Sequence, residues 1–286
     1  MFDYHVHSLV SSDGESSGLD IALAAKEKGL KEICFTDHFD YNSIPDVIGC
    51  GQFKMEDYKK AYDNLSVPGI TIKRGVEFGI AVWNKHKLEE LLSQYDFDFV
   101  IGSAHFADGF DPYHHGYWEK VSSKREAFAK FLLNELECVK IHDNFDVLGH
   151  LTYVCKSVYN PDKKPLYYKD YSDICDEIMK ELAKKGMGME INTSGVDRAG
   201  AFLPSKEFFV RFKELGGEIV TVGSDAHGVS RIGQYNAEAL EILKDTFGYV
   251  CTFEKRKPIF NKLEFGDKRW QSFVPFSVVP REIPRT

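Results

Sequence analysis

The sequence predicts an α/β fold whose parallel sheet closes into a distorted, TIM-like (β/α)7 barrel. Strand-like apolar runs alternate with stretches of helical periodicity seven times, the pattern of a parallel sheet with crossover helices. Histidines, carboxylates and one asparagine stand at the C-terminal ends of those strands, where (β/α) barrels place their active sites. An open doubly wound sheet would gather such residues only around its switch point. A length of 286 residues suits one barrel domain over 1–286, with 248–286 as a C-terminal packed tail.

The first predicted strand runs from Phe2 to His7. Successive side chains of a strand point to opposite faces, so His5 and His7 project from the same one. A loop rich in Ser, Asp and Gly follows from Ser11 to Gly18, and Ser16 and Ser17 are candidate helix caps. Leu19, Ile21, Leu23, Ala24 and Ala25 recur at helical density until Gly29, which can close the helix in a left-handed conformation. The second strand, Glu32 to Thr36, ends in Asp37-His38. A helix near 55–65, closed by Pro68 and Gly69, leads to a strand from Ile70 to Val76 that ends in Glu77.

A helix over 85–95 leads to the strand Phe97 to Ala104, ending in His105. A long aromatic loop, 106–120, separates it from a helix over 123–142 and a strand over 145–149 that ends in His150. A loop over 156–165 and a helix over 168–185, closed by Gly186, precede the strand 187–191, which ends in Asn192. The seventh unit is a helix over 205–215, the strand 218–224 ending in Asp225 and His227, and a helix over 235–247. Tyr249 to Phe253 is strand-like, and the sequence beyond it is punctuated by Pro275, Pro280 and Pro284.

Hydrophobic residues at 43% and charged residues at 28% place the chain among soluble enzymes and exclude fibrous and disordered classes. The net charge of -8 argues against nucleic acid as the main partner, because phosphate-backbone binding draws on clustered Lys and Arg. No apolar stretch is long enough to span a membrane, and no basic segment followed by an apolar run marks a signal peptide. The cysteines at 34, 50, 138, 155, 175 and 251 form no Cys-x-x-Cys pair and read as reduced, buried thiols. A cytoplasmic protein is expected.

Six histidines, His5, His7, His38, His105, His150 and His227, fall at predicted strand ends, whereas His86, His114, His115 and His142 do not. Taken singly, each is more readily a satisfied core or surface residue than a ligand. Together with Asp13, Glu77 and Asp225 they make nine imidazole and carboxylate ligands converging on one face of the barrel. A single catalytic zinc takes about three protein ligands, so two or three metal ions are the natural count. Two ions about 4 Å apart share a bridging ligand and clamp the oxygens of an in-line displacement on phosphorus, and Glu77 is the candidate bridge. Mixed imidazole and carboxylate ligands suit Zn, Fe or Mn.

Joined in order, His5-Val6-His7-Ser8 with Asp13-Gly14, Thr36-Asp37-His38, Gly75-Val76-Glu77, Gly102-Ser103-Ala104-His105-Phe106, Gly149-His150, Glu190-Ile191-Asn192-Thr193-Ser194-Gly195 and Ser224-Asp225-Ala226-His227 resemble the polymerase and histidinol phosphatase (PHP) family. Within it they are most similar to the monofunctional histidinol-phosphate phosphatases. The resemblance implies the family's distorted (β/α)7 barrel and a site of three divalent ions. It assigns His5, His7, Glu77 and Asp225 to one ion, Glu77, His105 and His150 to a second, and Asp13, His38 and His227 to the third. Asp3 and Asp37 are candidates for orienting the imidazoles from behind.

The activity so implied is hydrolysis of L-histidinol phosphate to histidinol and phosphate, with Glu77, Asp225 and His227 in catalytic positions. Asp225, His227 or a metal-bound water is left to protonate the leaving alkoxide. Lys156, Arg198 and Arg231 follow strands five, six and seven and are the candidate phosphate-binding cations. Lys156 stands where the family's phosphatases use arginine, and offers a point charge rather than a bidentate fork. The aromatic and acidic residues of Phe106 to Trp118 suit the ammonium and imidazole of such a substrate and the position of a lid. Two alternatives stand beside this: a PHP phosphoesterase for another small phosphoester or nucleotide, and a non-catalytic metal-binding scaffold.

Overall fold

The computed structural model describes residues 1–41 and 51–264. Eight strands form one sheet: β1 (Phe2–Val6), β2 (Glu32–Phe35), β3 (His38–Phe39), β4 (Thr71–Gly79), β5 (Phe99–Ser103), β6 (Val147–Leu148), β7 (Gly188–Asn192) and β8 (Val220–Gly223). Their order is β1-β2-β4-β5-β6-β7-β8, with β3 beside β4 and every pair parallel. β2 and β3 are two parts of one strand position, because Phe35 faces Arg74 and His38 faces Glu77 in an unbroken register. Seven positions result. The outer edges meet where His7 N–H donates to Ala226 O and Asp225 N–H to His5 O, each at 2.8 Å, so the sheet nearly closes. The expected distorted (β/α)7 barrel is the fold.

Nine helices accompany the described strands: α1 (Gly18–Glu27), α2 (Met55–Tyr62), α3 (Lys85–Leu92), α4 (His115–Trp118), α5 (Lys124–Ile141), α6 (Ser172–Lys185), α7 (Val196–Ala199), α8 (Lys206–Glu214) and α9 (Asn236–Thr246). Ser17, one of the two candidate caps, accepts the Asp20 N–H at the start of α1, and Ser123 accepts that of Glu126 at the start of α5. Gly186 ends α6 at φ 68, the left-handed closure that glycine permits at low cost. The loop 106–120 contains the single turn α4, which its irregular sequence does not announce. The helix expected over 168–185 begins at Ser172, after a 3-10 turn at Tyr168–Asp170.

Strand alternation separates two cores. Ile33, Phe35, Val76, Val100, Met189 and Val222 point outward and pack with helix residues such as Ile21, Phe128, Ile178 and Phe208. Tyr4, Cys34, Phe99, Ile101 and Val147 fill the barrel's closed end. Burying each large side chain contributes about 1.5–3 kcal/mol, so this packing fixes the frame while the other end stays polar. The register of β1 against β2 shifts by one residue between Asp3 and Val6, a β-bulge. It lets Tyr4 turn into the closed end while His5 and His7 face the other.

After α9 the chain forms an antiparallel hairpin, β9 (Tyr249–Glu254) and β10 (Lys257–Lys262), whose Cys251 and Phe253 plug the closed end. The first of these strands is expected from the sequence and the second is not. The remaining tail with Pro275, Pro280 and Pro284, and Cys50, lie outside the described residues. The other five cysteines are free and buried. Among the described residues no helix is long and apolar enough to cross a membrane.

Candidate metal centre

Glu77, near the C-terminal end of β4, is fully buried at the middle of the cluster. Its Oε2 lies 3.2 Å from His5 Nε2, 3.5 Å from His7 Nε2 and 2.8 Å from His38 Nδ1. Its Oε1 lies 3.2 Å from His105 Nε2 and 2.9 Å from His150 Nε2. One carboxylate thus meets five imidazoles delivered by β1 and the residue just after it, by β3, and by the loops after β5 and β6. Burial opposes its charge, yet His5, His38 and His105 hold its carboxyl well below the usual carboxylate range.

Asp225, just after β8, adopts φ 53, an uncommon left-handed backbone for a residue with a side chain. Its Oδ1 lies 3.4 Å from His7 Nε2 and 3.8 Å from His5 Nε2. At the mouth, Asp13 Oδ2 lies 3.1 Å from His227 Nε2 and 3.6 Å from His38 Nε2. All nine residues singled out in the sequence therefore come together at one end of the barrel. Four triplets among the described residues place their donor atoms within 4.8 Å of one another: His5-His7-Asp225, His5-Glu77-His150, His38-Glu77-His105 and His7-His38-His227.

The donor set fits divalent ions. Bonds of about 2.1 Å in a tetrahedral shell separate neighbouring ligand atoms by about 3.4 Å, the spacing found around Glu77 and Asp225. His5 Nε2, His7 Nε2 and Glu77 Oε2 are buried and make no contact of hydrogen-bond geometry among the described residues. Buried polar atoms are normally satisfied, so three such atoms facing one point call for a cation.

The imidazoles are held from behind. His5 Nδ1 pairs with Glu190 Oε1 at 2.7 Å, His105 Nδ1 with Asp40 at 3.0 Å, His7 Nδ1 with Ser11 Oγ at 3.3 Å and His227 Nδ1 with its neighbour's carbonyl, Asp225 O, at 3.0 Å. Burial disfavours a charged His5, but Glu190, Glu77 and Asp225 raise its pKa well above the ordinary value. Gly223 makes room for this arrangement, since a Cβ there would sit 2.2 Å from Glu190 Oε1 and 2.3 Å from His5 Cβ.

Of the two expected supports, Asp3 does something other than orient an imidazole, and Asp37 reaches one only through a hydroxyl. Asp3 accepts from Ser224 N–H, Ser224 Oγ–H and Gly233 N–H at 2.8, 2.5 and 2.8 Å, clasping both ends of the loop that carries Asp225 and His227. Asp37 accepts from Ser8 N–H, Ser11 N–H, Ser11 Oγ–H and Tyr62 Oη–H. Asp37 thereby backs the His7 ring through Ser11, whose Oγ it holds at 3.0 Å and which pairs with His7 Nδ1 at 3.3 Å, whereas Asp3 acts on backbone and hydroxyl donors of the loop. Asp40 gives no strand-end signal, and the role of Glu190 depends on its facing β1 across the barrel.

Of the three candidate cations, Lys156 reaches the cluster, its Nζ 2.7 Å from Asp225 Oδ2. Ser194 Oγ–H donates to the same oxygen at 3.0 Å. Arg198 instead contacts the Tyr113 hydroxyl and lies over that ring, 5.0 Å from its centre, tying the 106–120 loop to α7. Arg231 pairs with Asp197 at 3.1 Å.

A family profile for the PHP domain matches residues 3–194. The chain belongs to the PHP domain family. A histidinol-phosphatase of Lactococcus lactis is 32% identical to this PHP chain over 266 residues, 91% of this chain and 97% of that relative. A Clostridium acetobutylicum protein named "Probable histidinol-phosphatase" is 32% identical over 256 residues, 90% of this chain and 98% of the relative. The crystal structure of histidinol phosphate phosphatase from L. lactis, complexed with zinc, L-histidinol and phosphate, matches with a TM-score of 0.81 at 29% identity, covering 90% of this chain and 98% of that one. The profile match ends at Ser194, before Asp225 and His227, which the hydrogen bonds between β1 and the loop after β8 bring to the site.

Proposed function

We propose that this chain is a metal-dependent phosphomonoesterase, a histidinol-phosphatase that hydrolyses L-histidinol phosphate to L-histidinol and phosphate in histidine biosynthesis. The observation that carries this reading is the convergence of nine ligand side chains in a fold whose L. lactis counterpart binds zinc, L-histidinol and phosphate. Three divalent ions, Zn, Fe or Mn, are assigned: one to His5, His7, Glu77 and Asp225, one to Glu77, His105 and His150, one to Asp13, His38 and His227. The distances from Glu77 to His5, His7, His105 and His150, from Asp225 to His7 and from Asp13 to His227 support that grouping, whereas His38 lies nearer Glu77, at 2.8 Å, than Asp13, at 3.6 Å.

Such ions would supply Lewis-acid charge to phosphoryl oxygens and make a bound water acidic near neutral pH. Hydrolysis joins a water oxygen to phosphorus, breaks the P–O bond to histidinol and requires a proton on the leaving alkoxide. Asp225 and His227, on the loop after β8, are the side chains assigned to hold and return that proton. The Lys156 ammonium, already beside Asp225, is assigned to the phosphoryl oxygens, and Arg198 and Arg231 to the rim around them. The partner is a small molecule rather than nucleic acid or membrane, a reading supported by the net charge of -8. Five buried free cysteines support a reducing, cytoplasmic setting. The β9–β10 hairpin under the barrel supports a single domain through residue 264, and the rest of the 1–286 span lies outside the described residues.

The test is phosphate release from L-histidinol phosphate beside nucleotides and sugar phosphates, with Mn or Zn present. A preference of about a hundredfold or more for L-histidinol phosphate is expected. Comparable rates on every ester would instead make the chain a general phosphoesterase.

A further inference from the structure

The loop after β8 carries Arg231 as well as Asp225 and His227, and its middle is wrapped around a lysine from the other side of the barrel closure. Lys28 stands just past the end of α1, where its N–H closes the helix on Ala24 O. Its Nζ donates to Val229 O at 3.1 Å, Ser230 O at 2.9 Å and Ile232 O at 3.0 Å. An ammonium has three hydrogens, so its whole donor capacity is committed to this one arch of backbone. Three carbonyl dipoles aimed at one point repel one another, and the cation at that point turns the repulsion into three charge-assisted hydrogen bonds.

Arg231 lies inside the arch, because two of the three carbonyls precede it and one follows. Its N–H donates to Gly228 O at 3.2 Å, and the next side chain, Ile232, is fully buried in the core. Gly233 then turns at φ 67, where a Cβ would sit 2.9 Å from Leu30 Cδ1, and gives its N–H to Asp3 Oδ2 at 2.8 Å. Asp3 thus grips the ends of the loop and Lys28 grips its middle. The guanidinium itself is held less firmly. It pairs with Asp197 at 3.1 Å, with both side chains 40% exposed, and an ion pair that open to water fixes a long side chain weakly. The direction in which Arg231 leaves the backbone is therefore set by the arch rather than by Asp197.

We infer that Lys28 is a positioning residue for phosphate binding, holding the Val229–Ile232 arch so that Arg231 is presented at the rim of the metal centre. The inference rests on the reading of the chain as a phosphatase for L-histidinol phosphate with Arg231 among its phosphate-binding cations. It gives a lysine that never meets the substrate a measurable share in binding it.

The test is a double-mutant cycle read in kcat/KM for L-histidinol phosphate and in inhibition by inorganic phosphate. Lys28→Met keeps the apolar stem and removes the ammonium. It is expected to lower kcat/KM, and to weaken phosphate inhibition, about three- to tenfold. In an Arg231→Met background the same change should cost less than about twofold, because Lys28 acts through Arg231. A merely structural lesion would cost the same in both backgrounds. Lys28→Gln, which keeps N–H donors without the charge, replaces Lys28→Met in the cycle if the latter does not fold. Equal losses in the two backgrounds overturn the assignment, and so does wild-type kinetics in either single variant. Wild-type enzyme inactive on L-histidinol phosphate would overturn the functional reading and this inference with it. An active wild type with additive losses sinks the Lys28 assignment alone.

Discussion

His5 Nδ1 lies 2.7 Å from Glu190 Oε1, with both side chains buried. A carboxylate behind a ligand imidazole fixes its tautomer and raises its basicity, so that Nε2 is presented to the ion. Glu190→Gln keeps the shape but removes the charge. Zinc affinity, measured by competition with a chromophoric chelator, is expected to drop about ten- to a hundredfold. An unchanged affinity would mean that Glu190 serves packing alone.

Gly223 should reproduce this defect through packing. The Cβ of Gly223→Ala would displace both Glu190 and His5, whose atoms lie 2.2 and 2.3 Å from it. Reduced metal content after dialysis is the expected result, and full metal occupancy with normal activity would contradict it.

The metal-facing residues are legible in the sequence for a geometric reason. His5 and His7 share a strand face, and Glu77, His105, His150 and Asp225 follow strands whose ends all point the same way. Their supports are not legible, because which carboxylate lies behind which ring depends on strand neighbours that the sequence does not give, Glu190 on His5 through the barrel closure and Asp40 on His105 across β4. Asp3 and Asp37 look suitable by proximity in sequence, but Glu190 on β7 and Asp40 just after β3 back His5 and His105 directly, and Asp37 reaches His7 only through Ser11. The hairpin is hidden for another reason. Its turn places Lys255 and Arg256 at φ 48 and 64, positions normally marked by Asn or Gly, and Pro258 inside β10 reads as a strand breaker.

Lys156 and Asp225 form the other pair with a measurable consequence, at 2.7 Å. Lys156→Ala removes the phosphate-facing charge and leaves Asp225 without its ammonium. Its kcat/KM on L-histidinol phosphate should fall about ten- to a hundredfold, as for loss of one charge-assisted bond. Lys156→Arg should recover much of the loss, and inhibition by inorganic phosphate should weaken in parallel for the alanine variant. Wild-type kinetics in Lys156→Ala would remove the residue from the site.

Glu135 on α5 predicts a pH effect on stability. It is fully buried, both carboxyl oxygens lack a hydrogen-bond partner among the described residues, and burial pushes its pKa well above the usual value. The native state therefore holds this proton where the unfolded chain has released it. The resulting stabilisation is complete below the unfolded value of about 4.3 and is lost as pH rises through the native pKa. Glu135→Met should be more stable than wild type near pH 7, by about 1–3 kcal/mol, and should lose less stability between acidic and neutral pH. Urea unfolding across that range checks it, and a pH slope equal to that of wild type would contradict it.

The central claim is that the nine converging ligands hold ions that hydrolysis of L-histidinol phosphate needs. Its most direct test is to strip the protein with a chelator, then return Zn or Mn while following phosphate release and bound metal together. Activity should vanish on stripping and return as the sites fill, reaching its maximum at three ions per chain. Chelated, metal-free protein that still released phosphate at the full rate would contradict the account.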